Sequence, residues 1–353
     1  MHIKENWPLA PFTTFGIGGQ ARWFAEAASE EEIAEAADWA RGRGVPLFVL
    51  GGGSNLLVSD KGFPGLVLHV KVCGFECDGD LFRVGAGEDW DNCVEQALGL
   101  VCAGIECLAG IPGTAGGAPV QNVGAYGQEV ASVIERVRAF DLETRQFIEF
   151  QNAECGFAYR RSRFNSTDRG RFIIARVDFR LTPGGAPTLH YTELQRTIEA
   201  SQPSRGEAVR EPDLKQVADT IRRVRRSKGM LLVEGDPDCR SAGSFFKNPV
   251  VSEDRFQSIA ARSAAAPPRF PAGLGDEYAG CVKIPAAWLI EQAGFAKGYT
   301  MGRAGISSRH TLALINRSGA TAAEILALAD KIAAAVEARF DIRLEREPVL
   351  VGF

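Results

Sequence analysis

The chain has 353 residues, 45% of them hydrophobic and 24% charged, which predicts a soluble protein of about two or three domains. The formal net charge of −4 gives no reason to expect a nucleic-acid or membrane partner, and no apolar run is long enough to cross a bilayer. The first residues lack the apolar core of a signal peptide, so we expect a cytoplasmic protein.

The cysteines do not form a metal-binding pattern. None of the eight stands in a C-x-x-C pair, and the chain has only four histidines. We therefore predict no metal site and reduced thiols that serve as small hydrophobic side chains.

The N-terminal hundred residues alternate predicted helices and strands, which is typical of an α/β arrangement. Ser29 with Glu32 forms a capping box that predicts a helix to about Arg41, ended by Gly42 and Gly44. The sequence further predicts strands over 45–50, 66–70 and 81–87 and a helix over 89–100.

The middle of the chain changes character. Residues 103–128 are rich in glycine and poor in charge, a composition that favours neither helix nor strand. After them the sequence predicts a hairpin that turns at Glu143 and Thr144, a strand over 171–181 and a basic amphipathic helix over 213–229. That helix marks a boundary between a larger part, ending at about residue 225, and a smaller α/β part.

The last third predicts two helices and two strands. Pro285 lies near the start of a helix over 284–294, and Thr321 with Glu324 forms a capping box for a helix to about Phe340. The strands are predicted over 310–316 and 342–353.

Two glycine-rich segments can bind a ligand through backbone amides. GGGSN (51–55) follows a predicted strand, and 110–127 offers further amides, so the two together could hold a pyrophosphate from both sides. Neither contains G-x-G-x-x-G or a P-loop motif. Two interpretations stay open: a dinucleotide site outside a Rossmann fold, or tight turns in a glycine-rich scaffold.

The stretch GSFFKNP (243–249) places Ser244 and Lys247 in an S-x-x-K spacing, which is found in acyl-enzyme hydrolases. That motif needs both side chains on one helix face, whereas Pro249 disfavours a helical Asn248. The partner motifs S-D-N and K-T-G are also absent. The alternative is an ordinary loop with buried phenylalanines.

Six segments in order carry a resemblance over nearly the whole chain: FTTFGIGGQARWF (12–24), VLGGGSNLLVSD (49–60), GIPGTAGGAPVQNVGAYGQE (110–129), FAYRRSRF (157–164), GSFFKNP and LEREPVLVG (344–352). Together they resemble the UDP-N-acetylenolpyruvoylglucosamine reductases, also called UDP-N-acetylmuramate dehydrogenases. The resemblance implies a cytoplasmic flavoprotein oxidoreductase of peptidoglycan synthesis. It would use non-covalent FAD and NADPH to reduce UDP-N-acetylglucosamine enolpyruvate to UDP-N-acetylmuramate.

The resemblance also implies an α+β fold of the vanillyl-alcohol-oxidase type. Its expected parts are two FAD-binding subdomains, 1–70 and 71–225, and a C-terminal α/β substrate-binding domain, 226–353. We expect the C-terminal segment to be able to pack back on the first subdomain, and the protein to be a monomer.

Three residues match the catalytic positions of that family. Ser244 matches the proton donor, where placement matters more than acidity because an enolate is a strong base. Arg160 matches an arginine that holds the substrate carboxylate, although Arg161 follows directly. Glu347 matches a glutamate that contacts the enol, although Glu345 would share its strand face and the neighbours Arg346 and Pro348 depart from the family pattern.

Other positions match ligand contacts of the family. Tyr191, in HYTEL, resembles the tyrosine on the mobile loop of its longer subtype, which covers the diphosphate. The role of Lys247 stays open between a ligand contact and a solvated lysine. The predicted substrate contacts are Tyr191, Arg225, Lys228, Asn248 and Lys283, and the predicted FAD contacts are Gly51, Gly52, Gly53, Ser54, Asn55, Ile111, Pro112, Gly113, Gly116, Gly117, Gln121, Gly124 and Ala125.

Two rival hypotheses stay open. Another flavin oxidoreductase of the same fold could attach its flavin covalently, with His69 or Cys93 as the candidate residues. A catalytically silent nucleotide-binding protein is the second rival, and the joint presence of Arg160, Ser244 and Glu347 argues against it.

Overall fold

The computed structural model describes residues 1–201, 211–263, 265–272 and 278–353, and these form two compact units. The first unit consists of Met1–Trp7, Ala21–Gly52 and Pro64–Ser227, and the second of Pro8–Gln20, Gly53–Phe63 and Lys228–Phe353. Each unit is therefore assembled from pieces that are distant in sequence. The finer boundaries near residues 70 and 225 stay predictions.

Among the described residues, three of the four helices of the first unit begin and end within two residues of the predicted positions, whereas the helix Thr192–Ser201 was not predicted. Ser29 Oγ accepts from the Glu32 amide at 3.3 Å, and the Glu32 carboxylate accepts from the Ala28 amide at 2.7 Å, so the predicted capping residues do cap the first helix. Gly44, with φ of +63°, follows its end. The helices of this unit are Glu30–Gly42 (α1), Trp90–Gly99 (α2), Thr192–Ser201 (α3) and Leu214–Ser227 (α4).

Two main sheets form the rest of the first unit. The five-stranded sheet is antiparallel, and its hairpin pairs Asp141 with Gln146, as predicted. Its strands, in spatial order, are Gln146–Gln151, Ile134–Asp141, Phe172–Arg180, Leu81–Gly85 and Phe75–Asp78. The order in the four-stranded sheet is Ile3–Pro8, Gln20–Ala27, Phe63–Val70 and Leu47–Leu50, the last two being parallel.

The glycine-rich segment contains more regular structure than its composition predicts. Gly124–Ala125 pairs with Gln128–Glu129 around Tyr126 and Gly127, whose φ angles are +50° and +84°. Positive φ at both central residues is the geometry of a tight two-residue hairpin, so turn geometry overrides composition here. Outside this hairpin, Cys102–Ala103 pairs with Thr182–Pro183.

The second unit packs three helices around a separate apolar core: Glu253–Ala261 (α5), Ala286–Gln292 (α6) and Ala322–Phe340 (α7). Its strands form three groups: Leu56–Val58 with Val349–Val351; Val250–Ser252, Cys281–Lys283 and Phe270–Pro271; and Thr300–Met301, Ala304–Ile306 and Leu314–Asn316.

Two strand predictions in this unit were too long. The strand predicted over 310–316 covers only Leu314–Asn316, because the chain turns at 310–313, where the Ala313 amide bonds the His310 carbonyl. The strand predicted over 342–353 is reduced to Val349–Val351. Pro348 cannot donate a ladder hydrogen bond, and it separates this strand from an isolated bridge at Arg346.

The eight cysteines are free thiols, and five of them are buried. No group of three or more potential metal ligands occurs among the described residues. In the same residues, no helix combines the length and apolarity needed to cross a membrane.

Helix α7 carries a complete capping box and a long-range anchor. Thr321 Oγ1 accepts from the Glu324 amide at 3.1 Å, and the Glu324 carboxylate accepts from the Thr321 amide at 2.8 Å. Asp60, which is distant in sequence, accepts from the amides of Ala322 and Ala323 at 2.8 and 3.1 Å. A carboxylate at this position also interacts favourably with the helix dipole.

We predict that Thr321→Ala lowers the free energy of unfolding of the second unit by about 1 kcal/mol, because the helix loses its N-cap. Urea or thermal unfolding followed by circular dichroism measures this loss. Thr321→Ser is the matched control and should retain most of the stability. Equal losses in both variants would show that the methyl group, and not the hydroxyl, stabilises the helix end.

Candidate functional site

The first feature of the site is a backbone contact between the two glycine-rich segments. A Cβ atom at Gly52 would lie 2.6 Å from the Gly113 Cα, closer than real Cβ contacts allow. A Cβ at Gly51 would lie 3.0 Å from the Thr114 Oγ1. The structure therefore brings the two segments together, and only glycine fits at Gly52. This is the arrangement that a pyrophosphate held from both sides requires.

The second half of the GGGSN loop is held by residues of the second unit. Gly53 has φ of +64°, and a Cβ there would lie 1.7 Å from the Phe12 carbonyl oxygen. The Asn55 carbonyl accepts from the Val349 amide at 2.9 Å, and the Asn55 Nδ2 donates to the Glu347 carbonyl at 3.4 Å. Asn55 thus has a structural role besides the predicted contact with FAD.

Thr114 is a candidate site residue that the sequence analysis missed. Its Oγ1 is buried, and among the described residues it has no hydrogen-bond partner. Its carbonyl accepts from the Gly117 amide at 2.9 Å, so the hydroxyl is a buried side-chain group left without a bond. A hydroxyl placed between closely packed glycines was the signal that could have identified it. Glycine amides together with this hydroxyl fit the phosphate-bearing part of FAD.

The other predicted cofactor residues of the second segment surround this position. A Cβ at Gly116 would lie 2.6 Å from the Ala86 Cβ, and the Gly116 amide donates to the Ala86 carbonyl at 2.9 Å. This contact fastens the segment to the end of the strand Leu81–Gly85. Gly117 is exposed, whereas Ile111, Pro112, Gly113, Gly116, Gln121, Gly124 and Ala125 are half-buried.

Arg160 lies in a strained turn beside the same segment. Ala158 and Arg161 exchange backbone hydrogen bonds of 3.0 and 3.1 Å, and Arg160 between them has φ of +54°. Asn122 Nδ2 donates to the Ala158 carbonyl at 3.1 Å. A Cβ at Gly124 would lie 3.5 Å from Arg160 Nη1, so the guanidinium lies next to a predicted cofactor residue. Arg161 is exposed, and this separates the two arginines.

Ser244 and Glu347 lie on two segments joined by an antiparallel bridge. The Glu347 amide donates to the Phe245 carbonyl and the Lys247 amide to the Glu345 carbonyl, both at 2.9 Å, around the pair Phe246 and Arg346. The structure therefore brings the predicted proton donor and the predicted glutamate onto neighbouring segments.

Buried aromatic rings fix the backbone next to Ser244. Phe245 and Phe246 are 0% and 1% exposed, and their rings pack edge to face with centroids 5.3 Å apart. Ser244 itself is half-buried. A hydroxyl on a rigid segment suits proton donation to a ligand.

The structure distinguishes Glu347 from Glu345. Glu345 is exposed, and its carboxylate lies 3.3 Å from the Lys247 Nζ, whereas Glu347 is half-buried. This exposed ion pair favours a surface role for Lys247, the residue whose role the sequence left open. Glu347 is the better candidate for a contact with substrate, as the resemblance implies.

Thr14 is a second residue that the sequence analysis missed. Its hydroxyl donates to the Ser241 carbonyl at 2.5 Å and lies 3.4 Å from the Ser54 carbonyl. Ser241 Oγ in turn accepts from the Gly243 amide at 3.2 Å. Thr14 thus connects the end of the GGGSN loop with the segment that carries Ser244. Its hydroxyl in FTTFG gave no local signal of this contact.

Two predicted substrate residues belong to the first unit. The Tyr191 ring packs edge to face on Tyr126, with centroids 5.4 Å apart. Burial raises the pKa of both phenols, that of Tyr126 to about 12, so both remain neutral hydrogen-bond donors at neutral pH. Arg225 Nε donates to the Gly110 carbonyl at 3.0 Å, and burial lowers the pKa of its guanidinium.

The other predicted substrate residues belong to the second unit. Lys228 directly follows α4, and Lys283 ends the strand Cys281–Lys283, opposite Val250. Asn248 Oδ1 accepts from the Ala286 amide at 2.9 Å, so this oxygen caps α6. Its Nδ2 is the end of the side chain that can reach a ligand.

One of the two candidates for covalent flavin attachment, Cys93, has poor chemistry for it. Burial raises the pKa of the Cys93 thiol to about 12, and its Sγ donates to the Asp89 carbonyl at 3.1 Å. His69 lies in the strand Phe63–Val70 with Nδ1 3.3 Å from a Glu26 carboxylate oxygen, and burial lowers its pKa. A protonated, buried thiol is a weak nucleophile, which argues against attachment through Cys93.

The chain is similar to known proteins over nearly its whole length. Residues 236–351 match the family model for the C-terminal domain of UDP-N-acetylenolpyruvoylglucosamine reductase, and residues 21–145 match that of an FAD binding domain. The Streptomyces coelicolor reductase is 44% identical over 98% of this chain and 89% of its own length. The Thermobifida fusca reductase is 44% identical over 99% of this chain and 98% of its own length. The crystal structure of the Thermus caldophilus reductase superposes with a TM-score of 0.66 at 25% identity, covering 99% of both chains.

We predict that Gly52→Ala prevents stable FAD binding, because the added Cβ would force the two glycine segments apart at a cost of about 1–3 kcal/mol. Flavin absorbance after purification and the midpoint of thermal unfolding measure the effect. Gly42→Ala is the matched control, since a Cβ there meets nothing within 4 Å. Full flavin content in Gly52→Ala would disprove the role of this contact.

We also predict that Thr114→Val weakens FAD binding about tenfold while stability stays equal or rises, because the hydroxyl it removes has no partner among the described residues. Titration of apoprotein with FAD, followed by flavin fluorescence, measures the dissociation constant. Thr114→Ser retains the hydroxyl and should bind FAD almost normally. Unchanged affinity in Thr114→Val would mean that the hydroxyl does not contact the cofactor.

Proposed function

The chain belongs to the UDP-N-acetylenolpyruvoylglucosamine reductase family, and we propose that Arg160, Ser244 and Glu347 act on the substrate in its reaction. The protein is an FAD-dependent oxidoreductase that reduces UDP-N-acetylglucosamine enolpyruvate to UDP-N-acetylmuramate in peptidoglycan precursor synthesis. The glycine segments at 51–55 and 110–127 would hold FAD, which would supply hydride transfer from NADPH to the enolpyruvyl double bond. The protein side chains must orient the substrate and supply the accompanying proton.

The proposal depends above all on the rigid placement of Ser244. Delivery of a hydride to one carbon of the double bond leaves negative charge on its neighbour, delocalised into the carboxylate. That carbon must then receive a proton. A serine hydroxyl is a weak acid, but an enolate is a strong enough base to take its proton when the two are held together. The buried rings of Phe245 and Phe246 hold the Ser244 backbone for this purpose.

Arg160 is proposed to bind the substrate carboxylate. A guanidinium can donate two parallel hydrogen bonds to a carboxylate, and it stabilises the charge that grows there during reduction. The positive φ of Arg160 costs about 1 kcal/mol or more, and the bond from Asn122 to the Ala158 carbonyl helps to hold this turn. Stored strain at this residue supports a functional role over a surface charge.

Glu347 is proposed to contact the developing enol and to assist proton delivery. Its backbone is fixed on both sides, because its amide donates to the Phe245 carbonyl and its carbonyl accepts from Asn55 Nδ2. The side chain therefore starts from a defined position on the segment next to Ser244. Ser244 needs a new proton after each turnover, and a carboxyl group nearby can supply one.

The remaining substrate contacts are proposed from charge and hydrogen-bonding capacity. Lys228, Arg225 and Lys283 supply positive charge for the diphosphate and carboxylate groups, and Tyr191 and Asn248 supply neutral donors. We further propose that the protein acts as a monomer in the cytoplasm, where NADPH and the UDP-sugar are available.

We predict that Ser244→Ala lowers reduction of the enolpyruvyl UDP-sugar at least about 100-fold, the contribution typical of one general acid, whereas NADPH still reduces the flavin at the normal rate. Anaerobic stopped-flow absorbance separates the two half-reactions. Ser258→Ala, at an exposed position on α5, is the matched control and should change neither rate.

Equal loss of both half-reactions in Ser244→Ala would contradict the proton-donor role, since the change would then act on the flavin or the fold. Normal reoxidation by the UDP-sugar would contradict it equally. Reoxidation of the wild-type flavin only by oxygen would show that the substrate assignment itself is wrong.

A further inference from the structure

A buried carboxylate outside the proposed catalytic set connects three segments of the first unit. Glu106 is 1% exposed. Its Oε1 accepts from the Thr188 amide at 2.7 Å and from Gln128 Nε2 at 3.1 Å, and its Oε2 accepts from the Gly104 amide at 2.7 Å. Burying a charged group is costly unless it is fully bonded, so this set of donors makes the burial possible.

The amide, the hydroxyl and the carbonyl of Thr188 all form hydrogen bonds. Besides its amide, its Oγ1 accepts from Gln128 Nε2 at 3.2 Å, and its carbonyl accepts from Cys107 Sγ at 3.2 Å. Gln128 Oε1 in turn accepts from the Cys107 amide at 2.9 Å. Residues 106, 107 and 128 thus fix Thr188 with three hydrogen bonds, and a fourth joins Cys107 to Gln128; we call this group the Thr188 clamp.

The Thr188 clamp lies between the proposed cofactor segment and Tyr191. Gln128 pairs with Ala125 in the short hairpin, and the turn Glu106–Leu108 leads directly into the segment that begins at Gly110. Tyr191 follows Thr188 by three residues and rests on Tyr126 in the same hairpin. The start of the Tyr191 segment is therefore fixed to both ends of the cofactor segment.

We propose that Glu106, with Gln128 and Thr188, is a positioning group that sets where Tyr191 meets the diphosphate of the UDP-sugar. The inference rests on the proposed contact of Tyr191 with substrate. The clamp fixes the chain three residues before Tyr191, and the ring of Tyr191 packs on Tyr126, so a shift of Thr188 would move the phenol. Glu106 acts through Thr188 and Tyr191 and does not itself touch the substrate.

Thr188→Val tests the proposal, because it keeps the shape of the side chain and both backbone bonds but removes the acceptor for Gln128. We expect the inhibition constant of UDP and the KM of the enolpyruvyl UDP-sugar to rise about tenfold, as the loss of one buried hydrogen bond can cause. The rate at saturating UDP-sugar and the rate of flavin reduction by saturating NADPH should change less than about twofold. Thr188→Ser restores the acceptor and should restore the wild-type constants.

Glu106→Gln provides a second measurement. The amide nitrogen of the variant must replace either Oε2, next to the Gly104 amide, or Oε1, next to the Thr188 amide and Gln128 Nε2. In both orientations a hydrogen-bond donor faces another donor. We expect the same rise in KM and in the inhibition constant of UDP, with FAD content retained.

Three results would overturn the inference. Thr188→Val with unchanged constants would show that the clamp does not reach Tyr191. Loss of FAD, of thermal stability and of both half-reactions together, in Thr188→Val and Glu106→Gln alike, would assign the clamp a structural role only. If the double variant Thr188→Val/Tyr191→Phe raised the KM and the inhibition constant of UDP more than Tyr191→Phe alone, the clamp would act on substrate binding by a route other than Tyr191. Failure of the wild-type flavin to be reoxidised by the UDP-sugar would instead contradict the proposed function.

Discussion

The contact between Gly52 and Gly113 is the constraint on which the arrangement of the two glycine segments depends. The Gly113 carbonyl accepts from the Trp90 amide at 3.1 Å, and the Ala115 amide donates to the Glu88 carbonyl at 2.9 Å, so the second glycine segment is attached to the start of α2. The first segment leaves the buried end of the strand Leu47–Leu50. Because neither glycine has a side chain, the loops attached to the strand Leu47–Leu50 and to α2 can approach until their backbones are in contact. A ligand held there meets amides whose positions are already fixed, so binding costs little ordering of the loops.

The second unit obtains the same rigidity from backbone hydrogen bonds between segments that are distant in sequence. Phe245 bonds Glu347 and Asn55 bonds Val349, while the Thr14 hydroxyl ties Ser241 to the end of the first glycine loop. Most of these bonds use main-chain atoms. These main-chain bonds fix the backbone of the segments that carry Ser244 and Glu347.

Local signals predicted the parts of the structure that local interactions determine. The capping residues Ser29 and Thr321 and the turn after Asp141 were recognisable because their partners lie within a few residues. The glycine segments were recognisable by composition and, with the other motifs, by resemblance. The contacts of Asp60, Thr14 and Glu106 were not, because their partners lie 262, 227 and 82 residues away. The closing strand was predicted to be too long for a related reason. Its apolar pattern is typical of a strand, but Pro348 interrupts the backbone pairing, and the partner segments of that pairing are known only from the fold.

The hydrogen bonds that the proposed substrate contacts already form within the protein restrict which ligand groups they can bind. Asn248 Oδ1 is occupied by the Ala286 amide, so the side chain can offer a ligand only the N–H groups of Nδ2. The Tyr191 phenol, whose pKa is raised by burial, is likewise a donor at neutral pH. As proposed substrate contacts, Asn248 and Tyr191 each require an acceptor oxygen on the ligand. The phosphate and carboxylate oxygens of the UDP-sugar supply such acceptors.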